Sequence, residues 1–144
     1  MVRKATAAEI PAVTALALEL WPDHDPAQMQ EEFLQLVSHE EAALFLAYAE
    51  STPIGFAQCQ LRHDYVEGTG SSPVGYLEGI FVSEEYRRMG YARVLLSACE
   101  VWAKSRGCRE FASDCELTNE DSLGFHLKAG FVEANRIICF VKEL

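Results

Sequence analysis

Residues 87–92 read Arg-Arg-Met-Gly-Tyr-Ala, where a strand-like run gives way to a helix-like one. The first four N–H groups of a helix have no partner inside it, and the aligned peptide dipoles add partial positive charge at that end. Gly90 lets a ligand come close to the backbone, Ala92 keeps bulk away, and Arg87 and Arg88 add fixed charge. Such a spot suits a phosphate or pyrophosphate. The plainer alternative is a solvated loop with its arginines in water. Glu78 interrupts an apolar run at 75–82. A carboxylate there is costly to bury alone, so it calls for a bound cationic amine, a water chain or an internal ion pair. Trp21 and His24 lie in a loop flanked by Pro22 and Pro26. Trp21 offers an aromatic wall for a sugar ring or a cation, or is ordinary core. Tyr65, just after Arg62-His63-Asp64, supplies a wall, a hydroxyl or merely a strand-end aromatic.

These residues need elements to hold them. A short strand is predicted at 2–5. Thr6 and Glu9 then form a T-x-x-E capping pattern ahead of a helix over about 7–20. A second helix is expected at about 27–38, strands at 42–50 and 54–65, and a Gly/Ser/Pro-rich loop at 67–75. The central strand is 75–82. The clearest helix is 90–107, with Tyr91, Val94, Leu95, Ala98, Cys99 and Trp102 on one face and Gly107 as its stop. A strand is expected at 109–116 and a helix at about 119–129, capped by Thr118 and ended by Gly130. The final run "FVEANRIICFVKEL" is expected to add one or two strands. The order is mixed α and β, an α/β (α+β) class. No repeat or linker divides the chain, so 1–144 reads as a single domain.

Apolar residues make up 49% of the chain, which fits a globular protein with a real core. The formal net charge of -10 argues against nucleic acid as a partner. It fits either a cationic partner drawn in by the protein's field or simple solubility. The five cysteines form no C-x-x-C pair and no zinc-ligand spacing, so reduced, buried thiols in the cytoplasm and no bound metal are expected. No signal peptide is evident, and no run approaches the about 20 apolar residues of a membrane span.

The segment "GIFVSEEYRRMGYA" (79–92) resembles the acetyl-CoA-binding motif of the GNAT family of N-acetyltransferases: apolar strand, short loop, R-x-x-G-x-A, helix. Asn119 followed by "GF" at 130–131 resembles that family's second half. Within the family, "LWPDH" (20–24), "IGFA" (54–57), "RHDYVEG" (62–68), "SSPVGYLEGIFV" (71–82) and "GCREFASD" (107–114) resemble the aminoglycoside 6'-N-acetyltransferases. The resemblance implies a mixed central sheet of about six to seven strands flanked by about four helices, with a V-shaped opening at the acetyl-CoA site. It implies acetyl transfer to a 6'-amine of a cationic aminoglycoside, antibiotic resistance and a homodimer.

It also implies roles. Gly79 suits a bulge that frees the strand edge. Main-chain groups of Ile80, Phe81 and Val82 would then run beside the pantetheine arm. The amides of Arg88, Met89, Gly90, Tyr91 and Ala92 would hold the pyrophosphate. Asn119 would reach the pantetheine or merely start a helix. Glu78 would receive the amine's proton through water. Trp21, His24, Tyr65 and Asp114 would contact the acceptor, with a turn or helix cap as the plainer role of Asp114. Where many members carry a tyrosine four residues before the glycine of "GF", this chain has His126, either an acid for the departing thiolate or a satisfied helix histidine. Where the relatives carry an acidic substrate residue, this chain has Asn135, with Glu133 nearby.

Overall fold

The structure is a computed structural model describing residues 1–144. The elements run β1 (Val2–Lys4), α1 (Ile10–Leu20), α2 (Pro26–Val37), β2 (Ala42–Ala49), β3 (Thr52–Arg62), β4 (Val74–Val82), α3 (Tyr91–Ser105), β5 (Phe111–Ala112) and α4 (Glu120–Lys128). Single 3-10 turns at Ala7–Glu9 and Glu84–Tyr86 lead into α1 and the α3 loop.

Local chemistry sets the boundaries. The Glu9 carboxylate receives the Thr6 N–H at 3.0 Å and the Thr6 hydroxyl at 3.1 Å, which fixes the turn before α1. Asp25 caps α2 by accepting from the Gln28 N–H at 2.9 Å, and Pro26 takes the first helical position, where no N–H is needed. Gly107, at φ +88°, lies just past the end of α3 as expected. At α4 the capping residue is Asn119 rather than Thr118: the Asn119 Oδ1 accepts from the Ser122 N–H at 3.1 Å.

The sheet order is β1-β2-β3-β4-β5. The first three pairings are antiparallel and β4–β5 is parallel, with α3 as the crossover a parallel pair requires. Strand alternation divides the core. Phe56 and Leu46 pack with Ile10, Val13, Ala17 and Phe33 under α1 and α2. Ala57, Cys59 and Leu77 pack with Leu95, Cys99 and Trp102 under α3.

Four helices flank the sheet, but it has five strands, not six or seven. The predicted strand at 109–116 shrinks to Phe111–Ala112, and residues 132–144 form none. Beyond Phe131 the chain makes no backbone hydrogen bond to itself. Its apolar side chains Val132, Ile137, Ile138, Phe140 and Val141 lie in solvent because no surface of this chain covers them. The thiols also differ from expectation: Cys59, Cys99 and Cys108 are buried, whereas Cys115 and Cys139 are exposed.

Candidate acyl-transfer site

The site is built around an irregularity in β4. Gln58 pairs with Gly79 and the next β3 residue, Cys59, pairs with Leu77, so Glu78 is the extra residue of a bulge. The expected bulge is therefore centred on Glu78, with Gly79 beside it. Gly79 is needed there: a Cβ would lie 2.4 Å from the ring tip of Trp21. The indole also packs edge-on against Phe56 and near His24. Trp21, His24, Met29, Glu32, Phe33, Leu36, Gln58 and Glu78 line an open cleft of about 230 Å³.

The Glu78 carboxylate has an ion partner. Arg62 donates to it from Nε at 3.1 Å and from Nη2 at 2.8 Å. The same guanidinium lies 3.4 Å from the centre of the Tyr76 ring, and the Tyr76 hydroxyl donates to the Asp114 carboxylate. Burial first, and then that hydrogen bond, push the Tyr76 phenol far up, so it remains a donor at physiological pH. Arg62 and Tyr76 thus connect the two predicted acceptor carboxylates, Glu78 and Asp114. Sequence reasoning named neither connector. The short spacing of Arg62 before Tyr65 was visible, but its pairing across strands was not.

Beyond the bulge, β4 has an open edge. β5 pairs with it only at Gly75 and Tyr76. The Ser83 N–H donates to the Ile54 carbonyl at 2.8 Å, toward β3. Alternation therefore turns the N–H and C=O of Val82 and Ile80 to the opposite edge, and those of Phe81 back to β3. Of the three residues expected to run beside a thioester arm, Ile80 offers both main-chain groups there and Val82 its N–H, its carbonyl accepting from Arg87, while Phe81 offers none.

The edge leads to the start of α3. Arg88 (φ 62°) and Gly90 (φ 91°) are both left-handed, and the N–H groups of residues 88–93 find no acceptor in the chain. Alternating hand and convergent amides make an anion-binding concavity, to which the helix start adds its dipole. Nothing lies within 4 Å of a Cβ placed on Gly90, so φ rather than space demands glycine there. Arg88 and Met89 are exposed at this rim. Arg87 is committed elsewhere, with its Nε on the Val82 carbonyl at 2.8 Å.

His126, on α4, has both ring nitrogens engaged. Nδ1 lies 2.7 Å from the Ser122 carbonyl, which can only accept, so Nδ1 carries the proton. Nε2 then accepts from the Ser113 hydroxyl at 2.8 Å. Asn119 spends its carbonyl on the α4 cap and keeps its amide N–H groups. Tyr65 is exposed, and its hydroxyl accepts from the Gly68 N–H at 3.4 Å. Asn135 donates to Glu67 at 2.9 Å, so these two meet the same loop rather than Glu78. Hydrogen bonding with Cys59 and burial push the Cys99 thiol well up, which makes it inert.

A sheet that opens beside a bulged strand, with unpaired amides at the following helix start, defines the N-acetyltransferase class of α+β folds. The chain belongs to the acetyltransferase (GNAT) family, whose model matches residues 10–131. It is 43% identical over 140 residues to an aminoglycoside N(6')-acetyltransferase type 1 of Stenotrophomonas maltophilia, covering 96% of this chain and 90% of that protein. The structure of AAC(6')-Iy in complex with the bisubstrate analogue CoA-S-monomethyl-acetylneamine superposes with a TM-score of 0.96 at 36% identity, covering 100% of this chain and 98% of that one. The apo structure of aminoglycoside 6'-N-acetyltransferase AAC(6')-IG from Acinetobacter haemolyticus gives 0.94 at 37% identity, covering 100% and 99%.

Proposed function

We propose that the protein transfers the acetyl group of acetyl-CoA to the 6'-amine of aminoglycosides, by direct attack with both substrates bound, and so confers resistance to them. The observation that carries this is the bulge at Glu78. It sets a carboxylate at the floor of an acceptor cleft, and the strand beyond it presents a free edge leading to the amide-rich helix start. Membership of the GNAT family and the named relatives support the same reading.

The amides of residues 88–92 hold the pyrophosphate, the edge groups of Ile80 and Val82 align the thioester arm, and Asn119 Nδ2 steadies it. Trp21, His24 and Glu32 flank the acceptor, and Glu78 with Asp114 supplies negative charge for its ammonium groups. The amine passes a proton toward Glu78 through water and attacks the thioester carbonyl. The Val82 N–H polarises the carbonyl oxygen as the N–C bond forms and the C–S bond breaks. The thiolate has a reference pKa of about 8.5 and needs only modest help to leave. His126 serves as its acid only as imidazolium, since its Nε2 otherwise accepts; an unchanged kcat in His126→Gln would remove it from the reaction.

The exposed tail 132–144 suits a second copy of the chain. β5 is the last strand of the sheet, and its outer edge is unpaired. A partner's tail laid there would bury Ile138 and Phe140 and complete a homodimer. Ending the chain at Phe131 should then convert a dimer to a monomer by light scattering.

The decisive assay follows CoA release from acetyl-CoA with kanamycin, tobramycin, spermidine and peptides. Release dependent on the aminoglycosides is expected. Faster turnover of spermidine or peptide would redirect the enzyme to those amines. Acetyl-CoA binding with no acceptor-dependent release would make the protein a sensor. No helix is long and apolar enough to cross a membrane.

A further inference from the structure

The proposed reaction asks Glu78 to receive a cationic amine, yet Glu78 already has a cation. Arg62 grips both of its oxygens, at 2.8 and 3.1 Å, in the forked geometry that gives the stronger ion-pair hydrogen bonds. The guanidinium is further held on the Tyr76 ring, 3.4 Å from its centre. The titratable groups that face it are Glu78, Tyr76 and Asp114. Glu78 and Tyr76 lie on β4 and Asp114 follows β5, while Glu32 of α2 and His24 after α1 line the cleft that Glu78 enters. Arg62 is the fixed cation among these carboxylates.

Its charge has a chemical consequence. An amine attacks only after losing its proton. A site made of carboxylates alone binds the ammonium form and raises its pKa, giving tight binding of the unreactive species. A like charge close by disfavours the ammonium and lowers that pKa. Resting on the acetyl-transfer reading, we propose that Arg62 is a positioning residue that tempers the acceptor site. It holds Glu78 by both oxygens and destabilises the ammonium form of the bound amine, so that the amine is presented as a nucleophile at neutral pH. Two of the carboxylate's four lone-pair sites remain for the amine or its bridging water. Affinity then comes from the acceptor's remote ammonium groups, against Asp114 and Glu32, rather than from the reacting one. Binding strength drawn from remote groups leaves the reacting amine free to change its charge on the way to the transition state.

The test compares the wild type with Arg62→Met and Arg62→Lys, using kanamycin and acetyl-CoA between pH 5.5 and 9.5. Calorimetry with CoA confirms that each variant is folded with its nucleotide site intact. In Arg62→Met the acceptor KM at neutral pH is expected to fall several-fold and kcat to fall about tenfold. The acidic limb of kcat, lying above the carboxylate range, should move up by about one pH unit, the shift that a lost neighbouring charge produces at a partly exposed site. Arg62→Lys keeps the charge without the fork, so its limb should stay near the wild-type position even if kcat drops. A limb that does not move in Arg62→Met while CoA still binds overturns the inference. So does an equal shift in Arg62→Lys, which would trace the effect to geometry alone. A wild type that releases no CoA with any aminoglycoside overturns the functional reading instead, before the variants are compared.

Discussion

Replacing Gly79 with alanine perturbs the acceptor side of the site and spares the nucleotide side. The new Cβ would sit 2.4 Å from Trp21 Cη2 and 2.7 Å from Cζ2, well inside contact distance. The indole cannot yield toward the sheet, because Phe56 lies edge-on beneath it with the ring centres 6.0 Å apart, and Phe56 is fully buried. The ring must swing outward, into the cleft of about 230 Å³ that it lines. Overpacking of this kind costs about 1–3 kcal/mol. An unfolding entropy of about 2.1 cal/mol/K per residue over the 144 residues converts this to a Tm loss of about 3–10 °C. The cleft narrows at the same time, so the acceptor KM should rise about tenfold or more, while the affinity for CoA by calorimetry stays within about twofold. Melting curves and steady-state kinetics with varied acceptor check both halves. An unchanged Tm together with an unchanged acceptor KM would show that Trp21 does not rest on Gly79, and the account of the cleft would fail with it.

Gly90→Ala has open space for its methyl group but a φ of 91°, so the strain of about 1–3 kcal/mol falls on the amide cradle. CoA affinity should drop at least fivefold by calorimetry with the acceptor KM little changed; equal affinity would move the diphosphate elsewhere. Glu9 concerns stability rather than catalysis: desolvation raises its pKa, but hydrogen bonds from Tyr48 and Thr6 and the charge of Arg3 together bring it below the usual carboxylate value. A depressed carboxylate stabilises the fold above its unfolded pKa of about 4.3 and loses that contribution as pH falls through the folded value. Glu9→Gln should therefore lower Tm at pH 7, with the gap to the wild type shrinking as pH falls below the ordinary carboxylate range, and a gap that widens in acid would contradict the sign. With a net charge of -10, added salt should slow acceptor association steeply in stopped-flow, and salt-independent association would refute the steering.

The parts legible in the sequence were those set by local chemistry. The 3.6-residue rhythm of Tyr91, Leu95, Cys99 and Trp102 marked α3, and Gly90 before it marked the turn into its unpaired amides. Glu78 stood out because a carboxylate in an apolar strand needs a reason. What escaped depended on pairing across strands. Arg62 meets Glu78 only because β3 and β4 are antiparallel and in that register, and Ser113 meets His126 only because β5 and α4 fold back on each other. The tail misled for a related reason. Its apolar residues carry strand propensity, but a strand needs an edge to pair with, and propensity does not say whose edge that is.

The two halves of the site are consequences of one backbone event. An unbroken β4 would direct Glu78 and its neighbours in strict alternation and would invite a longer β5 to pair along its whole length. The extra residue at Glu78 changes both outcomes. Upstream, Tyr76 still pairs with β5 and keeps Asp114 tied to the acceptor side. Downstream, Ile80 and Val82 have lost that neighbour, which leaves the main-chain groups of Ile80 and the Val82 N–H free while Arg87 takes the Val82 carbonyl. On the proposed reading, the sheet separates a cleft lined by Glu78 and Glu32, suited to a polycation, from an edge and helix start with free amides, suited to an anion, a few residues apart on one strand. The spacing between the opposite charges of the two substrates is then fixed by strand geometry of about 3.3 Å per residue, not by mobile side chains. That rigidity is what a direct attack requires, since a displacement of about 1 Å between amine and thioester carbon can cost about 100-fold in rate.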